Sequence, residues 1–318
     1  MAKWLSGWVI DMEKHIPVLL KETVDGLDVK RGGRYVDGTL GRAGHTREIL
    51  ERGGEVLGID RDDAAISAVG EWKKGDAAGE RLTVVKGEHG DLEKIANENG
   101  WTEVDGVLLD LGVSSPQLDE AGRGFSFLRE GPLDMRMDRT RDLTAAHLVN
   151  GTDAAELENV FRAWGEEPNA RRIAKAIEKR VREEGDFKTT TELADFIEKL
   201  IGRRNGKHPA TRVFQALRMA VNDEEGELDR ALEGGLRLLK PGGRFAVITF
   251  ESITDRIVKQ FFAAHVGRMQ SLQQGGEEWI GELPRARAVT RRAVVAEEAE
   301  TDVNPRSRSA KLRVIERI

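Results

Sequence analysis

Apolar positions change rhythm twice along the chain. Between Gly33 and Asp110, short β-type runs alternate with helical ones. RYVDGT (34–39) precedes GHTREILERGG, EVLGID (55–60) precedes DDAAISAVGEWKK, RLTVVKG (81–87) precedes DLEKIANENG, and DGVLLDL (105–111) ends the series. Four such beats predict a parallel sheet covered by helices on both faces. From about 140 to 215 the period is helical throughout: Leu157, Val160, Phe161 and Trp164 fall at i, i+3, i+4 and i+7, and Leu193, Phe196, Ile197 and Leu200 repeat the spacing. Thr189 and Glu192 are set as a capping box for the second of these helices. β-type sequence returns in LKPGGRFAVITF (239–250), a fifth strand followed by RIVKQFFAAH, and RRAVVAEE and AKLRVIERI offer two further β-rich runs. Directly behind the fourth strand no amphipathic helix is expected. GVSSPQLDEAGRGFSF is rich in Gly, Ser and Pro, and the chain leaves the sheet there to build a second domain. The expected fold is α/β, a doubly wound sheet with an inserted all-helical domain, divided as 1–118, 119–215 and 216–318.

Composition narrows the class. Charged residues are 33% and apolar ones 39% of 318 residues, with a formal net charge of −6, as in a soluble globular protein. No apolar run approaches the ~18 residues of a membrane span, and no membrane role is expected. Zero cysteine removes disulfides, thiolate catalysis and Cys-ligated metal sites, and fits a reducing, cytoplasmic setting. The N-terminal stretch lacks the continuous apolar core and small-residue cleavage site of a signal peptide, and Met12 is an alternative start. No pair among the six histidines has metal-ligand spacing, so no catalytic metal is assigned. An acidic balance argues against coating nucleic acid non-specifically, which rests on neutralising phosphates.

The loop after the first strand, YVDGTLGRAGHT, lies where a doubly wound sheet binds ligands. Gly38, Gly41 and Gly44 are spaced G-x-x-G-x-x-G, unlike the G-x-G-x-x-G of dinucleotide binders, which disfavours a nucleotide-dependent oxidoreductase. Asp60, ending the second strand, can accept hydrogen bonds from both ribose hydroxyls of an adenosine-containing ligand. Acids on strands one and two with the glycines between them point to S-adenosylmethionine. Its sulfonium is already electrophilic, so a protein using it must chiefly align a nucleophile and exclude water. For an exocyclic amine, whose lone pair is delocalised into the ring, acceptors holding the amino hydrogens help. Asp110 and the Ser114, Ser115, Pro116 turn offer a carboxylate, hydroxyls and carbonyls after strand four.

HIPVLLKET, YVDGTLGRAGHT, DGVLLDLGVSSPQLDEAGRGFSF, GPLDMRMD, KHPATRVFQALRMAVN, LKPGGRFAVITF and NPRSRSAKLRV, in this order from about His15 to the C-terminus, resemble the bacterial 16S rRNA cytosine-N4 methyltransferase family of the MraW type. The resemblance implies a class I (Rossmann-like) methyltransferase, S-adenosylmethionine as donor, and a cytosine in the decoding centre of 16S rRNA within the small ribosomal subunit as acceptor. It implies cofactor contacts at Ala43, Gly44, His45, Asp60, Asp110 and Gln117, beside Gly38 and Thr39 of the same loop. The chain departs from the family's pattern twice. His89 stands where a Phe is usual, leaving an imidazole to stack on adenine, and Glu251 stands where the motif after strand five carries His.

Phe125 and Phe127 are candidates to stack an extruded base, with core packing as the competing reading for each. RRIAKAIEKRVR (171–182) carries six basic residues against one acid, and GRRNGKHPATR (202–212) adds Lys207, His208 and Arg212. In the family's context these suit RNA phosphates, as do Arg306 and Arg308. Arg136 and Asp138 either line the acceptor site or form an internal ion pair near the domain junction, and His208 either touches RNA or orients the helix after Pro209. A homodimer is compatible with this reading. The rival from another class is a ribosome-assembly factor that keeps the cofactor fold without turnover.

Overall fold

The computed structural model describes residues 16–203, 208–271, 277–280 and 285–318. His15, Met12 and the N-terminal stretch before them lie outside the described residues, as does Lys207. The chain forms two compact units, Met1–Gly112 with Gly226–Ile318, and Val113–Glu225. The sequence placed its junctions after 118 and 215.

In the first unit the strands are β1 (Arg34–Asp37), β2 (Glu55–Asp60), β3 (Leu82–Lys86), β4 (Val104–Asp110), β5 (Leu239–Thr249), a separate antiparallel pair β6 (Arg268–Ser271) and β7 (Glu277–Ile280), then β8 (Ala286–Ala288) and β9 (Lys311–Arg317). The main sheet runs β3-β2-β1-β4-β5-β9-β8. Its first five strands are parallel, while β9 is antiparallel to β5 and β8 to β9. The order reverses between β1 and β4, the topological switch point where such sheets open a crevice at the strands' carboxyl ends.

The apolar runs are nearly continuous because both faces are covered, and the strand's two-residue period divides them. Val107, Leu109, Phe245 and Val247 pack with Leu92, Leu228, Leu232 and Val258. Leu108, Ala246 and Ile248 pack on the other face with Val24, Leu27, Ile49, Leu50 and Val69. The first set belongs to α4 (Leu92–Glu98), α11 (Glu224–Leu238) and α12 (Ser252–Val266). The second belongs to α1 (Leu20–Leu27), α2 (Gly44–Glu51) and α3 (Asp63–Lys74). None of the described helices is long and apolar enough to cross a membrane.

Two sequence expectations are corrected. RRAVVAEE is not a strand: only Val294 bridges β9, exchanging both backbone hydrogen bonds with Leu312 at 2.9 Å. Beyond it the chain forms α13 (Glu298–Val303), because Ala286–Ala288 already takes the edge of β9 at Ile315–Arg317. The stretch after β4 is not bare loop either, since α5 (Ser115–Asp119) starts within it.

The second unit holds α5, α6 (Ala145–Gly151), α7 (Ala154–Ala163), α8 (Ala170–Glu184), α9 (Thr190–Ile201) and α10 (Ala210–Val221). Leu157, Val160, Phe161, Leu193 and Ile197 are buried in its core, and Trp164, Phe196 and Leu200 pack at its margin. The capping box at α9 is half formed. Thr189 Oγ1 accepts the Glu192 N–H at 3.2 Å, but the Glu192 carboxylate turns to the Lys188 N–H and the Arg180 guanidinium. Asn222, 1% exposed, fastens the 135–137 segment to the end of α10. Its Oδ1 accepts the Met137 N–H at 2.8 Å, and its Nδ2 donates to the Met135 and Arg218 carbonyls at 2.8 Å. Asn222→Ala orphans the Met137 N–H and the Met135 carbonyl, while the Arg218 carbonyl keeps the backbone N–H of residue 222, and is expected to lower urea stability by about 2–4 kcal/mol at unchanged m-value. A change below about 1 kcal/mol would show that the 135–137 segment is held by packing instead.

Candidate active site

The carboxyl ends of β1, β2 and β4 each carry an aspartate, and the loop from β1 into α2 joins them. Asp37, 2% exposed, accepts the Thr46 hydroxyl at 2.7 Å and the Thr39 N–H at 3.1 Å. Thr39 Oγ1 in turn accepts the Asp110 N–H at 2.6 Å, tying β1's loop to β4. Asp60 accepts the Gly41 N–H on one oxygen and the Asp62 N–H on the other, both at 2.8 Å. It therefore shapes the loop, while each oxygen keeps lone pairs for a further donor.

The glycines differ in purpose. Gly41 (φ +49°) occupies the left-handed region beside Ala43 (φ 61°), a conformation that costs a residue with a Cβ. Gly38 and Gly44 are required by close packing: a Cβ would lie 2.6 Å from Leu109 Cδ2 at the first and 2.3 Å from Pro17 Cγ at the second. Behind Gly44, the His45 Nε2–H donates to the Val18 carbonyl at 3.0 Å. The segment containing Pro17 and Val18 is thus a strap over the glycine loop. It is held at its other side by the Glu300 carboxylate, which accepts the Leu19 N–H at 2.9 Å, and by Asn304 Nδ2, which donates to the Ile16 carbonyl at 3.0 Å. Sequence reasoning missed the strap's role, and its only signal was HIPVLLKET standing upstream of the first strand.

Burial governs the charges. It raises Asp37, against the Thr46 hydrogen bond, and raises Asp60, against the Asp62 and Gly41 amides. It lowers His45, against attraction from Asp37, and pushes the Asp110 carboxyl up to about 7. Asp110 Oδ1 is buried with no partner among the described residues, and Oδ2 stands 3.8 Å from His45 Nδ1. An amino group carrying two hydrogens is what such a pair of acceptors lacks. S-adenosylmethionine fits the donor set, since its ribose hydroxyls match the lone pairs left open on Asp60.

His89 lies in a 3-10 turn (His89–Asp91), 7% exposed, and a Cβ on Gly38 would come 3.5 Å from its Cβ. Its pKa falls to about 3, through burial first and then Arg61 and Arg230, so the ring is neutral. Ligand atoms of Glu88, His89 and Glu227 lie within 4.8 Å of one another. Both carboxylates already face guanidiniums, Glu88 with Arg61 at 3.1 Å and Glu227 with Arg230 at 2.6 Å, and Glu227 also accepts the Gly90 N–H at 3.0 Å. A dication would add charge to a balanced cluster, whose visible effect is to anchor the His89 turn.

The second unit puts several expected site residues to internal use. Ser114 caps α5, and Gln117 Oε1 accepts the Ser114 N–H at 2.9 Å, the reciprocal half of a capping box with Pro116 in the first turn, where its missing N–H costs nothing. Phe125 is 7% exposed in the unit's core, with the Arg123 guanidinium 5.7 Å from its ring centre, which gives it to packing and not to base stacking. Phe127 is half-buried against His208 at 4.6 Å and Phe214 at 4.8 Å. His208 Nδ1 accepts the Ala210 N–H, and Nε2 faces Glu198 at 3.1 Å, so it orients the start of α10. Arg136 forms a two-point pair with Asp134 (2.7 and 2.9 Å) and donates to the Arg139 and Arg141 carbonyls. Arg136 is thus in an internal ion pair, with Asp134 as its partner, while Asp138 accepts from Thr140. Exposed cations remain at Arg171, Lys175 and Arg182 of α8, at Arg212, which donates to the Glu166 carbonyl at 3.0 Å, and in the first unit at Arg306 and Arg308.

The chain is similar to several known proteins. The profile of the MraW methylase family matches residues 12–318. The chain is 48% identical over 307 residues to the ribosomal RNA small subunit methyltransferase H of Symbiobacterium thermophilum, covering 95% of this chain and 96% of that one. It is 45% identical over 311 residues to the protein of the same name from Shewanella frigidimarina, covering 96% and 97%. Among solved structures, a putative rRNA-methylase from Clostridium thermocellum aligns over 96% of this chain and 100% of that one at 14% identity and a TM-score of 0.43.

The strap supplies a direct test of the loop. Gly44→Ala forces Pro17 away and is expected to weaken S-adenosylmethionine binding by about tenfold or more in calorimetry, through loss of loop preorganisation. An unchanged dissociation constant would show that the strap does not support the cofactor site.

Proposed function

The chain belongs to the MraW methylase family, and from that premise we propose that it methylates N4 of a cytosine in the decoding centre of 16S rRNA, within the small ribosomal subunit in the cytoplasm. S-adenosylmethionine is the methyl donor and, when bound, supplies a methyl group activated by the sulfonium. The observation that carries the reading is Asp110, a carboxyl at the switch point with one buried oxygen unpartnered among the described residues and an affinity for protons poised near neutrality.

Asp60 and the main chain of Gly41 to His45 hold the donor's adenosine and amino-acid ends, and the neutral ring of His89 contributes a face for adenine. Asp110 accepts a hydrogen bond from the cytosine amine, favouring a more pyramidal nitrogen. It then receives the proton that the nitrogen must lose once it is methylated. Glu251 has no assigned step, since methyl transfer to an amine with a poised acceptor needs no second base. The exposed cations of α8, with Lys207, Arg212, Arg306 and Arg308, contact RNA phosphates, and Phe127 is the remaining aromatic candidate for the base.

Two measurements follow. With labelled donor and either naked 16S RNA or assembled small subunits, single-turnover transfer is expected to rise with pH by about tenfold per unit below 7 and level off above it, because Asp110 must be ionised to accept a proton. Asp110→Asn should lose about 10²–10⁴ in rate and the pH dependence with it. No transfer to either RNA from the wild-type protein would leave the assembly-factor reading in its place. Reversing Arg171 and Lys175 to Glu should raise the RNA concentration for half-maximal rate several-fold and leave donor affinity unchanged, because phosphate contacts are electrostatic. A change in donor affinity alone would remove α8 from the RNA surface.

A further inference from the structure

The two nitrogens of His45 have different surroundings. A backbone carbonyl can only accept, so the nitrogen facing Val18 carries the hydrogen, and in the neutral ring Nδ1 is left with a bare lone pair. The imidazole is 5% exposed, which disfavours a second proton. Nδ1 faces Asp110 Oδ2 at 3.8 Å. Two acceptors confront each other there, a repulsive arrangement when the carboxyl is ionised and an attractive one when it holds a proton. Closing the gap to a hydrogen bond requires about 1 Å of side-chain movement.

We propose that His45 is a positioning residue for Asp110: fixed by Val18, it turns an unprotonated nitrogen toward the carboxyl and so holds a proton there until the acceptor amine binds, when that proton leaves to water and the ionised carboxylate is free to take the amine's own. The inference rests on the reading of Asp110 as the proton acceptor. The other charged groups around the pair are Asp37 on β1, whose charge would further discourage ionisation of Asp110, and Glu300 on α13, which faces His45. No bond to carbon is involved. The amine proton passes to Asp110, its O–H turns to His45 Nδ1, and the proton leaves to water when the methylated base departs.

The proposal gives a role to residues that no motif marks. Glu300 and Asn304 hold the strap, the strap holds the Nε2–H, and that contact decides which nitrogen faces the site. A histidine free to flip would present an N–H to Asp110 as readily as a lone pair, and the carboxyl would lose its proton at lower pH.

The test is carbon-13 NMR titration of the aspartate carboxyls in the donor-free protein, with Asp110 assigned by its loss in Asp110→Asn. The wild-type midpoint is expected near 7. His45→Gln keeps a donor for the Val18 carbonyl and removes the facing lone pair, and its midpoint should fall by about one unit. His45→Asn keeps an acceptor toward Asp110, loses the strap contact, and should retain most of the wild-type midpoint. Equal midpoints in the wild type and His45→Gln overturn the proposal, and so does an equal fall in both variants. If His45→Gln does not fold, nitrogen-15 NMR of the wild-type imidazole decides, since a protonated Nδ1 in the neutral ring is incompatible with it. The titration uses neither donor nor RNA, so a failed methyl-transfer assay with an intact titration would refute the proposed function alone.

Discussion

Pairing of β1 with β4 sets the reactive edge of the first unit. Tyr35 to Asp37 lie against Gly106 to Leu108, although some seventy residues separate them in the chain. The segment between them fills the sheet on one side with β2 and β3, and the chain then returns to the other side of β1. No crossover helix spans the β1/β4 gap at its carboxyl end, and Asp37, the glycine loop and Asp110 converge there. A slip of one residue would exchange the faces of Leu108 and Leu109 and bury the wrong set in each core. The 2.6 Å hydrogen bond from the Asp110 N–H to Thr39 Oγ1 holds the two strand ends in step.

The three aspartates at this edge share a raised affinity for protons, since all are withdrawn from water, yet they serve different ends. Asp37 and Asp60 meet hydroxyl and amide donors of the glycine loop, the first turn of α2 and the turn after β2, and their carboxylates shape the backbone. Among the described residues, Asp110 faces the bare side of His45 and has an oxygen with no partner. Desolvation without compensating hydrogen bonds leaves a group reactive, whereas desolvation with them makes a scaffold.

In the second unit residue type and role separate. Arg136 is consumed by Asp134 and two carbonyls, Phe125 by the core, and His208 by the turn into α10. Charged and aromatic side chains serve loops as readily as they serve ligands. What stays available is the row of cations along α8, whose apolar face is buried while Arg171, Lys175 and Arg182 remain in solvent.

Periodicity by itself determined the four parallel beats, the fifth strand, the buried faces of α7 and α9, and the interruption of one architecture by another. These follow from short-range rules, the two-residue alternation of strands and the 3.6-residue turn of helices, that any stretch of sequence must obey. The motifs marked the glycine loop, Asp60 and Asp110 because strand ends and tight turns need particular residues at fixed offsets. Tertiary structure alone decided that Val294 and its neighbours would not extend the sheet, that Gly44 is a glycine because Pro17 lies on it, and that His45 turns a lone pair to Asp110. Each of those depends on atoms from segments far apart in the chain, brought within a few ångströms by packing, and local sequence carries no record of such distances.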